Sequence, residues 1–447
     1  MSTEKRIFYA ICLVSFIGPF LSTSLNIAIP IMSTEFGIAP DRMSWVVTSF
    51  LIASAAILLP MGKVSDIYGR KRTFSLSLMV FGVSTFATAF VPTLTLLILC
   101  RIIQGIALCG VYVSYMPLLL ATTDESRQGH VLGQAVSLTY LGLSLGPVLG
   151  GILTQFAGWR FIFILATFII AASYGLIHPI KQEWYASGAP FVNRVSTVLS
   201  MTAIIVFLYG LSSYSENSSL IWIGLLLIAV FLLHESKSYH PILPLYIFRN
   251  VTFSMSNLAS FIQYSATYAI SFLLSLYLQV ILGLSPALSG LVLLAQPIIM
   301  SILSPRAGTL ADRYGPRYIA SIGLVFTTIG LGCFAVFPTV SMNAAIAFLL
   351  LIGLGAALFG APNNSAIMGS VKPAYHGIAS SMLALMRNLG QAVSMAVVTL
   401  ILTRETAMVP VYTEAVQAAL HVSFIILTIL CFLAIFASLA RGRKKLS

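Results

Sequence analysis

The chemistry this sequence offers most clearly lies in a loop that appears twice. Gly62-Lys63-Val64-Ser65-Asp66-Ile67-Tyr68-Gly69-Arg70-Lys71-Arg72 places one acid among four bases between two apolar runs. A thinner copy, Gly308-Thr309-Leu310-Ala311-Asp312-Arg313-Tyr314-Gly315-Pro316-Arg317, keeps the same frame: Gly, three residues, Asp, two residues, Gly, one residue, then a base, Lys71 in the first copy and Arg317 in the second. An aspartate beside arginines can make charge-assisted bonds to a neighbouring helix and release them in a second state. On that reading Asp66 is a switch, Gly62 and Gly69 permit tight turns and close approach, and Asp312 with Arg317 is the weaker counterpart. The plainer alternative is a basic loop that only fixes orientation in a membrane.

Other reactive groups are sparse. All twelve acids are expected in loops or at a terminus. Arg101 and Arg387 lie inside long apolar runs, where a bare charge costs roughly 2.5–3.5 kcal/mol on insertion scales and calls for interior partners. For Arg101 those partners are backbone carbonyls, Gln104 or Asn26; Asn388 accompanies Arg387. Each arginine reads either as a coupling or substrate contact or as a hydrogen-bond hub. Gly142, Gly146 and Gly150 recur every four residues, with Gly151 at the end, and allow close helix approach. Pro147 in the same run bends its helix. Cys12, Cys100, Cys109, Cys333 and Cys431 all sit in apolar runs without paired metal spacing and read as small buried hydrophobes. There is no zinc-protease His pair, no nucleophile-elbow serine and no P-loop, so neither an enzyme, a metal nor another cofactor is expected.

The elements that hold these residues must be membrane helices. Of 447 residues, 58% are hydrophobic and 8% charged, against about 25% charged in ordinary soluble domains. The mean hydropathy is +0.98. Irregular backbone cannot face lipid, so the apolar runs read as helices. We count fourteen: 7–31, 44–61, 73–91, 95–119, 131–154, 161–178, 196–213, 219–234, 252–282, 288–304, 319–337, 343–369, 378–402 and 418–440. The first is too long for a signal peptide and reads as a retained span. With the amino terminus inside, 19 of the 24 lysines and arginines, Arg441 among them, fall in inner segments and three in outer ones. That bias puts both termini and both charged loops in the cytoplasm. The net charge of +12 is thereby explained without nucleic acid as a partner. The two loops follow the second and tenth spans, which suggests parallel repeats of six spans.

The motifs resemble those of the major facilitator superfamily. Gly62 to Arg72 is similar to its loop signature between the second and third helices. Arg101-Ile102-Ile103-Gln104-Gly105 resembles its fourth-helix signature. Gly142-Leu143-Ser144-Leu145-Gly146-Pro147-Val148-Leu149-Gly150-Gly151 resembles the fifth-helix antiporter signature, and Gly158-Trp159-Arg160-Phe161-Ile162-Phe163 the start of the sixth helix. Tyr277-Leu278-Gln279 through Gly290, and Arg387-Asn388-Leu389-Gly390-Gln391, resemble the fourteen-spanner drug:proton antiporter branch. One departure stands out: where that branch carries a first-helix acid, Leu21 precedes Ser22-Thr23-Ser24-Leu25-Asn26.

The resemblance implies an all-α membrane protein of the major facilitator fold, with two six-helix bundles plus two inserted helices, fourteen transmembrane helices and cytoplasmic termini. Residues 1–180 and 241–447 are the bundles, the second with a short basic tail, and 181–240 the inserted pair. It implies a multi-pass protein of the cell membrane, acting as a monomer, that exports small amphipathic compounds by alternating access, with protons as the coupled partner. The missing first-helix acid keeps uncoupled or otherwise coupled transport of an anionic or neutral amphiphile open. A non-transporting membrane sensor is the other alternative. Gln134, Tyr140, Gln263, Tyr264, Tyr268, Tyr277, Gln279, Gln296 and Asn363 are further polar or aromatic candidates for a cavity wall, or for bonds between helices.

Overall fold

Backbone amides and carbonyls have no water to bond in lipid, and the apolar runs accordingly fold as helices. The computed structural model describes residues 2–38, 43, 45–124, 127–185, 193–213, 217–239, 241–284, 286–337, 339–409 and 411–442. At positions 26, 27, 29, 30, 33, 34, 279, 286, 287, 403, 406 and 412 only the backbone is described.

The helices are α1 (Thr3–Phe36), α2 (Trp45–Tyr68), α3 (Arg70–Thr88), α4 (Leu94–Ala121), α5 (Gln128–Phe156), α6 (Arg160–Ile177), α7 (Arg194–Ser212) and α8 (Ser219–Lys237). They continue as α9 (Val251–Thr267), α10 (Ile270–Leu276), a π turn at Tyr277–Ile281, α11 (Pro286–Leu293), α12 (Ala295–Tyr314), α13 (Pro316–Val336), α14 (Met342–Gly369), α15 (His376–Met408) and α16 (Tyr412–Leu439). No strand occurs among the described residues. In α6, Ile162, Phe163, Ala166, Ile170, Ser173 and Ile177 are buried at helical spacing while Phe161, Leu165 and Phe168 are exposed. One stripe packs inward, and the other is the apolar face a bilayer would cover.

Among the described residues twelve helices are long and apolar enough to cross a membrane. Two expected spans are not among them, for different reasons. The span at 73–91 is α3, whose first turn carries Arg70, Lys71 and Arg72 and dilutes its apolar character. The span at 252–282 is not one straight helix: it breaks after α9, resumes as α10 and closes in the π turn.

The described chain divides into two compact units. The first comprises Met1–Val131, Leu138–Ile247 and Val371–Leu385. Within it α2 packs on α4, α4 on α3, α1 on α6, and the α7–α8 hairpin lies against α2 through α7. Trp45 of α2 meets Tyr209 of α7 with ring centroids 5.4 Å apart. The second unit comprises Leu132–Ser137, Phe248–Ser370 and Met386–Ser447. There α13 packs between α14 and α16, α12 lies on α14, and α9 lies on α16. Ala320, Leu324, Leu331, Leu349, Ile352 and Leu427 are among its fully buried core residues.

The repeat reaches beyond the loops. Helices α4 and α14 are each 28 residues long with an internal proline near the end, Pro117 and Pro362. Helices α2 and α12 each carry one shortly before the charged frame, Pro60 and Pro305.

Candidate functional site

The charged frame is mostly helix, which corrects its reading as a turn. Gly62, Ser65 and Asp66 lie in the last turns of α2 and are buried. Only Gly69 breaks the chain, with φ +106°, a conformation that disfavours any side chain. Helix α3 restarts at Arg70. Arg70 Nε and Nη2 donate to Asp66 Oδ1 at 3.3 and 3.2 Å. The same Nη2 donates to the Pro373 carbonyl at 2.7 Å, ahead of α15. Gly377 lies so close that a Cβ there would sit 2.5 Å from Asp66 Oδ2. Gly62 packs onto the Ser381 hydroxyl, and a Cβ on it would sit 2.9 Å from the Gly377 carbonyl. Asp66 and Arg70 are both nearly fully buried. The loop, the start of α15 and the turn before it thus form one contact set inside the first unit. Arg72 contributes backbone only, its side chain being exposed.

An acid absent from the sequence candidates completes this set. Glu183, beyond α6, accepts from Lys71 N through Oε1 at 2.8 Å and from Arg72 N through Oε2 at 2.9 Å. Arg70 N donates to the Trp184 carbonyl at 2.8 Å. A carboxylate at the first turn of a helix satisfies orphan amides and complements the dipole. The second copy is built differently. Gly308 is buried inside α12, Asp312 is exposed near its end, and Gly315 has φ +88°. Pro316 starts α13 where the first copy has Arg70, so Asp312 has no arginine four residues on. Arg317 lies 5.8 Å from the Tyr318 ring centroid.

Arg101 is buried among helices of the first unit. Its Nε donates to the Val46 carbonyl at 3.0 Å and its Nη1 to Gln104 Oε1 at 2.7 Å. Gln104 Nε2 donates to Thr88 Oγ1 at 2.7 Å and to the Ser84 carbonyl at 3.3 Å. The guanidinium lies 4.2 Å from the Phe50 ring centroid. The network ties α2, α3 and α4, and the expected carbonyl and Gln104 partners are found. The Asn26 side chain lies outside the described residues.

The glycine stripe of α5 lies against α1. A Cβ on Gly142 would overlap the Phe16 carbonyl, one on Gly146 would overlap Thr23 Oγ1, and one on Gly150 would sit 2.7 Å from the Ser24 backbone. Ser24 Oγ donates to the Gly146 carbonyl at 2.9 Å. Pro147 is internal to α5, and Gly151 is half-buried. At the far end of α1, Glu35 accepts from Trp159 Nε1 at 2.6 Å and from Arg160 Nη1 at 2.5 Å. Burial works to raise the Glu35 carboxyl, and the bonds from Trp159 and Arg160 with the Arg160 charge outweigh it, holding the group below its ordinary 4.5.

In the second unit several of the polar candidates make hydrogen bonds between elements. Tyr277 Oη donates to the Val340 carbonyl at 2.8 Å, Cys431 Sγ donates to Gln263 Oε1, and Asn363 Nδ2 donates to Ser260 Oγ at 2.6 Å. Arg387 and Asn388 are half-buried in α15. The Gln279 side chain is outside the described residues. Arg441 is the clearest correction. It was grouped with the basic tail, yet it is 1% exposed and donates through Nη2 to Asn363 Oδ1 at 2.5 Å. Glu35, Asp66, Glu235, Asp312, Glu405 and Glu414 lie within helices rather than loops, each near an end. Among the described residues the five cysteines are free and no three His, Cys, Asp or Glu cluster to hold a metal.

Twelve described helices long and apolar enough to cross a membrane, carrying a duplicated charged motif, are the architecture of a multi-pass membrane protein. The chain matches the Major Facilitator Superfamily over residues 11–248 and 257–446, and it belongs to that family, on its drug-efflux-like branch. It is 30% identical over 401 residues to "Riboflavin transporter RibZ" of Clostridioides difficile (strain 630), covering 87% of each chain. It is 27% identical over 390 residues to "Multidrug efflux pump LfrA" of Mycolicibacterium smegmatis, covering 86% of this chain and 77% of that one. The structure of the proton:xylose symporter XylE superposes with a TM-score of 0.68 at 14% identity, over 97% of this chain and 95% of the other, and shares the fold.

Proposed function

We propose that the chain is a secondary active transporter exporting small amphipathic compounds by alternating access, coupled to inward movement of protons. It works as a monomer in the cell membrane, with fourteen spans, cytoplasmic termini, six-helix bundles at 1–180 and 241–447 and the inserted pair at 181–240. The observation that carries the reading is the Asp66–Arg70 pair held on Pro373 and Gly377. It is a charge-assisted contact between the α2–α3 joint of the first repeat and the entry to a helix of the second, of the kind that biases two states separated by a few kcal/mol. Asp312 and Arg317 play a lesser part in the same cycle. The α1–α5 seam limits leak, and Arg101, Gln104, Asn26, Arg387 and Asn388 serve substrate or coupling.

A specific observation favours a second reading. Every described acid lies near a helix end or outside a helix, whereas Arg101 is buried well inside α4. A cation inside a helix with no acid at a like position suits a neutral or anionic amphiphile moved without proton coupling, and riboflavin belongs among the compounds to try.

The test is uptake into proteoliposomes of riboflavin, an anionic dye and a lipophilic cation, with and without an imposed pH gradient. Gradient-driven flux supports antiport, and flux indifferent to the gradient replaces it by the second reading. Movement of the cation alone removes the second reading. No flux of any compound returns the chain to the sensor class.

A further inference from the structure

Arg441 is a buried guanidinium with most of its hydrogen-bonding capacity unused. It follows α16 in the second unit and is 1% exposed. Nη2 reaches Asn363 Oδ1, and the Phe359 ring lies 5.9 Å away. Nε and Nη1 have no acceptor among the described residues. Asn363 in turn donates to Ser260 Oγ on α9. Thr252, Ser256 and Ser260 recur at four-residue spacing and therefore share one face of α9. Thr252 borders the tail, since a Cβ on Gly442 would sit 3.5 Å from Thr252 Oγ1. Ser256 stands between them along that face of α9, fully buried, and its hydroxyl has no partner among the described residues.

A balance of donors against acceptors identifies the missing ligand. Arg441 offers one N–H on Nε and two on Nη1, and Ser256 offers one O–H. The unpaired acceptor nearby in sequence is Asn257 Oδ1, which can take one of them. A surplus of buried donors around a full positive charge favours an acceptor that is itself negative. The enclosure of Arg441, Asn363, Ser256 and Ser260, each at most 1% exposed, selects against a lipid headgroup or an amphiphile and in favour of a small ion.

We propose that Arg441 and Ser256, with Asn363 orienting the guanidinium, form a buried site for a small inorganic anion of the halide class. The ion neutralises Arg441 and joins α9, α14 and the segment after α16. The site does not depend on which compound the transporter carries.

The experiment is thermal unfolding of the purified full chain in detergent, in chloride and in gluconate at one ionic strength. Chloride is expected to raise the melting temperature by about 2–4 °C. Arg441→Met is expected to lose that increment, and Ser256→Ala to need several-fold more chloride for half of it. Crystals grown in bromide are expected to show an anomalous peak within hydrogen-bond distance of Arg441 Nη1. Equal melting temperatures in the two salts, an unchanged increment in Arg441→Met, or bromide absent from Arg441 would each overturn the proposal. Should Arg441→Met not fold, Ser256→Ala and the bromide map decide.

Discussion

Asp66 and Arg70 meet at 3.2 Å across a one-residue break, each on a different helix, and the arginine carries the contact on to the Pro373 carbonyl. The pair is buried. Breaking a buried pair by removing one partner costs on the order of 3–5 kcal/mol, because the other charge is left uncompensated.

Asp66→Asn should therefore lower transport by at least tenfold at unchanged surface level. Asp312→Asn should cost less than threefold, since Asp312 is exposed where Asp66 is buried. Initial uptake rates of the two variants, normalised to protein in the bilayer, make the comparison. Equal losses would mean that the two copies share one role.

The α1–α5 seam leaves no room at Gly146, where even a methyl group overlaps Thr23 Oγ1. Gly146→Ala should destabilise by about 1–3 kcal/mol through overpacking, and Gly146→Leu should abolish transport. Thr23→Ala should recover part of the Gly146→Ala loss, though the Phe20 carbonyl would still lie 3.0 Å from the new Cβ. Melting temperatures of the single and double variants measure the coupling.

Glu35 gives a pH signature. Its carboxyl is held below the ordinary 4.5 in the folded chain, so its contribution to stability is fully present above that value. It is lost as pH falls through the lowered folded value. Wild type should exceed Glu35→Gln in melting temperature at pH 7, and the two should converge at the acid end of a series running down from pH 5. A constant gap across the series would show that the carboxylate charge is not what Trp159 and Arg160 hold.

Arg101 satisfies Val46 and Gln104 and stacks on Phe50. Arg101→Lys, a point charge in place of a planar fork, should destabilise by about 2 kcal/mol or more. If the arginine is a hub alone, the substrate KM of protein that survives purification should be unchanged. A raised KM for anionic compounds with normal melting would make it a substrate contact.

What the sequence made readable is what repeats or keeps helical spacing. The duplicated Gly–Asp–Gly frame, the four-residue glycine stripe and the apolar runs each announce themselves locally, and each has its place in the fold. The contacts that leave no local signal join residues far apart. Glu183 caps α3 from 111 and 112 positions away, and nothing nearby in sequence marks it. Glu35 finds Trp159 and Arg160 across 124 and 125 positions. Arg441 stands in a basic run like any membrane-surface tail, and only the packing of α9, α14 and α16 shows that it turns inward. Gly62 misled for the opposite reason: glycine suggests a turn, but here it lets Ser381 and Gly377 approach a helix that continues.

The single-residue joint at Gly69 has a mechanical consequence. Nothing between α2 and α3 can absorb a change of tilt: Asp66 and Arg70 bridge the joint from both sides, and Glu183 pins the first turn beyond it. The two helices are thereby tied together across the joint, and the arginine that grips Pro373 is part of that tie.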